Sequence, residues 1–180
     1  RGAGFEFVDQ VKGGTIPGQF IPAVEKGIRQ VLDTGVIAGY PVKDVRVIVY
    51  DGKSHSVDSK DIAFATAGRK AFIDAVKKAS PIVLEPIVKV QITAPDQAMG
   101  DITGDLSSKR GQVSGTASLP GGGIAVNGQV PLSELLNYQA RLNGMTGGQG
   151  RYTIAFSHHE PVPPAVQQQL MAKHQVHDDY

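Results

Sequence analysis

Residues 84–157 change hydrophobic period in an order that few folds accept. Residues 84–93 alternate, which places Leu84, Val88, Val90 and Ile92 on an inward face and Glu85, Lys89, Gln91 and Thr93 on an outward one. A helical stretch follows over residues 99–110, with Met99, Ile102 and Leu106 on one stripe and Gly111 closing it. Two further strands, residues 112–119 and 124–130, flank Pro120-Gly121-Gly122-Gly123, a hairpin signal. Residues 132–143 read as a helix through Leu132, Leu135, Leu136 and Leu142, closed by Gly144. Residues 151–157 then form a strand with Tyr152, Ile154 and Phe156 inward. The order βαββαβ is the split βαβ or ferredoxin-like arrangement, two helices over one face of a four-stranded antiparallel sheet. The uncovered face is expected to be polar, with Gln112, Ser114, Thr116, Ser118, Asn127 and Gln129 beside the outward residues of the first strand, and Arg151 and Thr153 on the last.

The first half reads as strand, helix, strand, helix. Residues 5–11 alternate until Gly13-Gly14 breaks them. Residues 21–34 carry Pro22 in a first helical turn, Val24, Ile28, Val31 and Leu32 on one face, and Gly35 at the C-cap position. Residues 42–50 form a strand with Val45, Val47 and Val49 on one side. A polar loop leads to Asp58 or Ser59 as N-cap of a helix reaching Lys78, its stripe being Ile62, Ala65, Phe72, Ile73 and Val76. Ser80-Pro81 stops it. The expected organisation is α+β in two domains, residues 1–83 and 84–160, followed by a C-terminal helix and tail over residues 161–180.

Composition excludes several classes of function. With 18 Lys+Arg against 17 Asp+Glu in 180 residues, the net charge of +1 offers no broad basic surface, so any RNA contact must be local. Cysteine is absent, which removes disulfides, thiolate metal sites and a Cys nucleophile and agrees with a reducing cytoplasm. No apolar run approaches the roughly 18 residues of a membrane span. The opening Arg1-Gly2-Ala3-Gly4 has neither an initiator Met nor a signal-peptide pattern, and reads as a piece of something longer.

No Gly-x-x-x-x-Gly-Lys-Ser/Thr is present, so the chain has no phosphate-cradling loop of that kind. His158 and His159 are neighbours on a strand and point to opposite faces, which argues against one shared metal ion. His174 and His177 lie in a terminal stretch with Asp178 and Asp179. No catalytic triad or carboxylate pair has local support. Base stacking in the manner of an RNA-recognition module fails, because the outward positions of the central strands hold no aromatic. Two basic spots remain, Lys109-Arg110 at a helix end and the loop holding Lys53 and His55. On the residues alone, a helix-dipole cation pair and a solvated loop account for both.

The run from Phe5 through Gly13-Gly14 and Pro17-Gly18-Gln19-Phe20-Ile21-Pro22 to Ile28 resembles the fourth domain of translation elongation factor G. So do Ala38-Gly39-Tyr40-Pro41-Val42 and Leu84-Glu85-Pro86-Ile87-Val88-Lys89-Val90. Gly100-Asp101-Ile102-Thr103-Gly104-Asp105-Leu106 with Lys109-Arg110-Gly111, and Val130-Pro131-Leu132-Ser133-Glu134-Leu135, resemble the two helices of the fifth domain. The resemblance implies a left-handed βαβ crossover in the first domain. It also implies a parent translational GTPase whose GTP and Mg sites lie upstream of Arg1, with no catalytic residue, cofactor or metal in this chain. The implied partners are both ribosomal subunits, A-site transfer RNA and messenger RNA, met by a cytoplasmic monomer that touches no membrane.

Residue by residue, the resemblance makes His55 the tip-loop histidine that reaches the decoding centre, with Lys53, Ser54 and Asp58 beside it. Lys109, Arg110 and Gly111 become the ribosomal RNA contact. Lys53 stands where the family usually has Ser, Ser54 where it has Tyr, Ser56 where it has an acidic residue, and Lys109 where it has Arg. Lysine keeps charge but loses the planar fork that grips phosphate at two points. Two functions follow as expectations: GTP-dependent movement of transfer RNA and messenger RNA, or an elongation-factor-G-like role in recycling, rescue or assembly without ordinary translocation.

Overall fold

The computed structural model describes residues 2–55, 57 and 59–174. The elements in order are β1 (Phe5–Asp9), α1 (Ile21–Thr34), β2 (Val45–Val49), α2 (Asp61–Lys78), β3 (Leu84–Pro95), α3 (Met99–Ser108), β4 (Gln112–Leu119), β5 (Gly123–Pro131), α4 (Tyr138–Thr146), β6 (Arg151–Pro161) and α5 (Pro164–Lys173). They form two compact units, Arg1–Val83 with Pro163–Tyr180, and Leu84–Val162.

In the first unit β1 and β2 pair in parallel from Phe5 opposite Val45 to Asp9 opposite Val49, with α1 as the crossover. Pro22 sits in the first turn of α1, where no N–H is needed, and Gly35 ends the helix at φ 76°, its N–H on the Val31 carbonyl. The core gathers Phe20, Val24, Ile28, Val31 and Leu32 with Phe64 and Phe72 of α2, and the Phe20 and Phe64 rings stack at 4.4 Å. Two glycines let the helices touch. A Cβ on Gly27 would lie 1.9 Å from the Ala65 carbonyl oxygen, and one on Gly68 would lie 2.8 Å from that of Val24.

This close approach corrects the expected face of α2 in part, for Phe72, Ile73 and Val76 pack on the core as expected. The buried stripe is Phe64, Gly68 and Phe72, while Ile62 is 75% exposed. A glycine serving as a contact surface leaves no apolar signal for a periodicity count. The helix also starts later than expected, at Asp61 after an extended Lys60, because the Ser59 hydroxyl is engaged with the backbone of His55 and caps nothing. Helix α5 belongs to this unit. Gln167 accepts from the Val83 N–H at 3.0 Å and donates to the Pro81 carbonyl at 3.1 Å.

The second unit is a four-stranded antiparallel sheet in the order β4-β5-β3-β6, as a βαββαβ chain of ferredoxin-like type requires. Val88, Val90 and Ile92 of β3 meet Val126 and Val130 of β5, Ile102 and Leu106 of α3, and Tyr138 and Leu142 of α4 in one core.

Register shifts overturn some of the expected faces. Glu85, expected outward, is buried, its two oxygens bound by Arg110, and Leu84 is exposed; the pairing with β6 shifts between Ile87 and Val88, where Ser157 of β6 is the extra residue. A second shift between Val113 and Gly115 sets Thr116 opposite Val126 and Ser118 opposite Ile124, on the helix side of the sheet. The expected helix over residues 132–143 is divided by Asn137 at φ 57° into a short 3-10 turn (Leu132–Leu135) and α4, leaving Leu136 exposed. Ile154 and Phe156 are also exposed, on the edge strand β6, whereas Tyr152 at its start meets Tyr138 of α4 with ring centroids 5.1 Å apart.

Candidate nucleic-acid interface

In the first unit the loop after β2 presents Lys53, Ser54 and His55, all exposed. Its base is tied by side chain and backbone. Asp51 Oδ1 accepts the Gly52 N–H at 2.8 Å; Ser59 Oγ accepts the His55 N–H at 3.1 Å and donates to the His55 carbonyl at 2.5 Å. One hydroxyl thus closes a five-residue loop and satisfies both polar groups of the histidine's own peptide. Asp58, the fourth residue expected at this tip, lies outside the described residues. Beneath the loop a cavity of about 610 Å³ between β2 and α2 is walled mainly by Ile16, Val47, Val49, Phe64 and Phe72. It holds no nucleophile–base pair, so it offers packing space and no chemistry.

The corner after α3 in the second unit differs from a simple helix-end cation pair. Lys109 is the C-cap, Arg110 takes the left-handed conformation at φ 58°, and the Gly111 N–H closes on the Leu106 carbonyl at 2.8 Å. Arg110 therefore occupies the position where such a corner usually has glycine. What holds it there is its own side chain. Nη1 and Nη2 reach the two oxygens of Glu85 at 2.5 and 3.0 Å, and Nε reaches Glu134 at 3.0 Å. The paired Glu85 raises the guanidinium pKa further above its ordinary value. Gly111 is needed because a Cβ there would lie 2.7 Å from the Leu106 carbonyl oxygen.

Lys109 is also turned inward, 3.8 Å from Asp105, whose buried carboxylate is bound by Arg141 as well. Both cations of the pair thus meet carboxylates of their own unit, while the Arg110 side chain stays 33% exposed. Three of the five Arg110 donors are occupied by carboxylates within the unit. Sequence spacing gives Glu85, Glu134, Asp105 and Arg141 no role at this corner, since the arginine–carboxylate pairs they form join residues 24 to 36 apart. Only the spacing of Asp105 and Lys109, four apart on a helix, was a usable signal.

The histidines on β6 behave separately. His158 Nδ1 meets Ser157 Oγ at 2.9 Å and its Nε2 meets Glu160 at 2.7 Å, whereas the His159 ring packs 5.0 Å from that of Phe156. Among the described residues no cluster of three or more His, Cys, Asp or Glu is placed to hold a metal ion, and no helix is long and apolar enough to cross a membrane.

A parallel βαβα unit with an exposed loop, followed by an antiparallel ferredoxin-like unit, defines an α+β protein of two units. Comparison gives the class its family. The family model for elongation factor G, domain IV, matches residues 1–80, and that for the elongation factor G C-terminus matches residues 82–170. Elongation factor G of Aquifex pyrophilus is 46% identical over 173 residues, which is 96% of this chain and 25% of that protein. An elongation factor G-like protein of Thermotoga maritima is 45% identical over 171 residues, 95% of this chain and 25% of that protein. A crystal structure of a protein from Thermus thermophilus superposes with a TM-score of 0.75 at 39% identity, over 95% of this chain and 26% of that one. The chain belongs to the elongation factor G family and carries its domain IV and C-terminal regions. It spans about a quarter of the length of the curated relatives it matches.

Proposed function

We propose that this chain is the ribosome-binding part of a translational GTPase that promotes GTP-dependent movement of transfer RNA and messenger RNA in the cytoplasm. The observation that carries the reading is the tip loop. His55 stands exposed on a loop closed by one serine, above a base where α1 and α2 are in backbone contact. Such a loop can place a contact group into an RNA groove and needs no general acid or base. Lys53, Ser54 and Asp58 complete the proposed contact with the decoding centre, while the Lys109-Arg110-Gly111 corner is proposed to hold the shape of the second unit. GTP and Mg belong to a domain outside this chain.

A second reading has its own support. Lys53 and Ser54 depart from the usual family residues at the positions nearest His55, which favours an elongation-factor-G-like factor in recycling, rescue or assembly. A translocation assay on the full-length protein separates the two. His55→Ala should slow movement of transfer RNA while leaving ribosome-free GTP hydrolysis unchanged and stability within about 0.5 kcal/mol, the ordinary range for a surface position. Binding to ribosomes without any movement by the unaltered protein would select the second reading.

A further inference from the structure

The His55 imidazole has no partner among the described residues, and the hydrogen bonds that this histidine makes there both belong to its peptide groups. Both end on one atom. The His55 N–H donates to Ser59 Oγ at 3.1 Å, and the same hydroxyl donates to the His55 carbonyl at 2.5 Å. His55 is exposed, whereas Ser59 is half-buried. The two ends of the loop are fixed by the core. On the strand side the Gly52 backbone lies against the buried Ile16, where a Cβ would fall 2.5 Å from Ile16 Cδ1. On the helix side Phe64, in the first turn of α2, is buried in the core of the unit. Between these anchors, Ser59 is the described residue that ties the His55 backbone to the base of the loop.

We propose that Ser59 is a positioning residue for the contact that His55 makes, acting through the histidine backbone. The inference rests on the tip-loop reading of this chain and adds to it the residue that sets where the imidazole stands. A histidine side chain has two rotatable bonds, so once its backbone is held the ring reaches only a small set of positions. A loop without that tie must order its backbone at the moment of contact, and the lost conformational entropy then weakens the contact. A hydroxyl suits the task because it donates and accepts at once, satisfying an N–H and a carbonyl with a single atom. A carboxylate could only accept and an ammonium group could only donate. Since the bonds are to backbone, the tie holds whatever side chain stands at position 55, and its effect on function requires the imidazole.

The test is a double-mutant cycle in the full-length protein, read as the rate of transfer RNA movement on the ribosome. Ser59→Ala should slow that step by roughly three- to tenfold, the population cost of the lost hydrogen bonds, and by no more than His55→Ala does. In the His55→Ala background, Ser59→Ala should change the rate by less than about twofold, and Ser59→Thr, which keeps the hydroxyl, should hold the parent rate within the same margin. Thermal melting should not move, because the tie lies outside the core. Slowing by Ser59→Ala that is as large without His55 as with it makes Ser59 a structural residue and refutes the assignment. An unaltered rate in Ser59→Ala when His55→Ala slows the step refutes it too, as does a loss in Ser59→Thr equal to that in Ser59→Ala. Where the unaltered protein binds ribosomes without movement, the same cycle is read on affinity. If His55→Ala has no effect on either readout, the tip-loop reading fails first and takes this inference with it.

Discussion

Replacing Arg110 tests whether the corner after α3 is an internal clamp. In Arg110→Gly the left-handed backbone becomes unstrained, a gain of about 1–2 kcal/mol. The same change strips the nearly buried Glu85 carboxylate, 10% exposed, of both its hydrogen bonds. Breaking a buried pair costs roughly 3–5 kcal/mol; because the Arg110 side chain is 33% exposed, about 2–3 kcal/mol is the better figure here. The net loss for Arg110→Gly should be about 1 kcal/mol, and for Arg110→Ala, which keeps the strained backbone, about 2–3 kcal/mol. Adding Glu85→Gln to Arg110→Gly should recover most of the loss, since the uncompensated charge is gone. Urea unfolding at pH 7, followed by the NMR signals of Leu106 and Val126, reads the second unit by itself. An Arg110→Gly variant as stable as the parent, with coupling to Glu85 below about 0.5 kcal/mol, would refute the clamp.

Two further outcomes follow from packing and burial. Gly27→Ala should destabilise the first unit by about 2–3 kcal/mol despite its better helix propensity, because the new methyl meets the Ala65 backbone; Gly104→Ala in α3, where a Cβ meets nothing within 4 Å, should stabilise by up to about 1 kcal/mol, and paired thermal melts check both. Burial, with help from the Asp105 charge, pushes the Tyr138 phenol up to about 12. An unfolded tyrosine ionises near 10, so the unfolded state loses its proton first and stability should fall between about pH 10 and 12; Tyr138→Phe should remove that part of the alkaline slope in pH-dependent unfolding.

Much of the fold was legible because its elements follow local rules. Pro22 and Gly35 bracket α1 at the positions their backbone chemistry favours, and the βαββαβ order follows from changes of period alone. What escaped was set by neighbours. The face of α2 is decided by Gly68 against Val24, a close approach invisible to any count of apolar side chains. The extra residues at Ser114 and Ser157 reverse the alternation of their strands, and neither serine differs in type from the polar residues around it. Asn137 alone, a residue that tolerates the left-handed region, was a readable hint that residues 132–143 would break.

The candidate site shows why charge is harder to place than hydrophobicity. An apolar residue has one destination, the core, so its period reveals its element. A cation has two, a carboxylate or the solvent, and sequence spacing discloses the choice only when the partner is a turn away, as Asp105 is from Lys109. Arg110 and Lys89 look alike in sequence, yet one is held by carboxylates 25 and 24 residues distant and the other is not. The motif with the stronger family signature is therefore the one whose charge is spent internally. Place in the strand does not decide it either: Glu85 and Lys89 lie four residues apart on β3, and only the carboxylate meets Arg110.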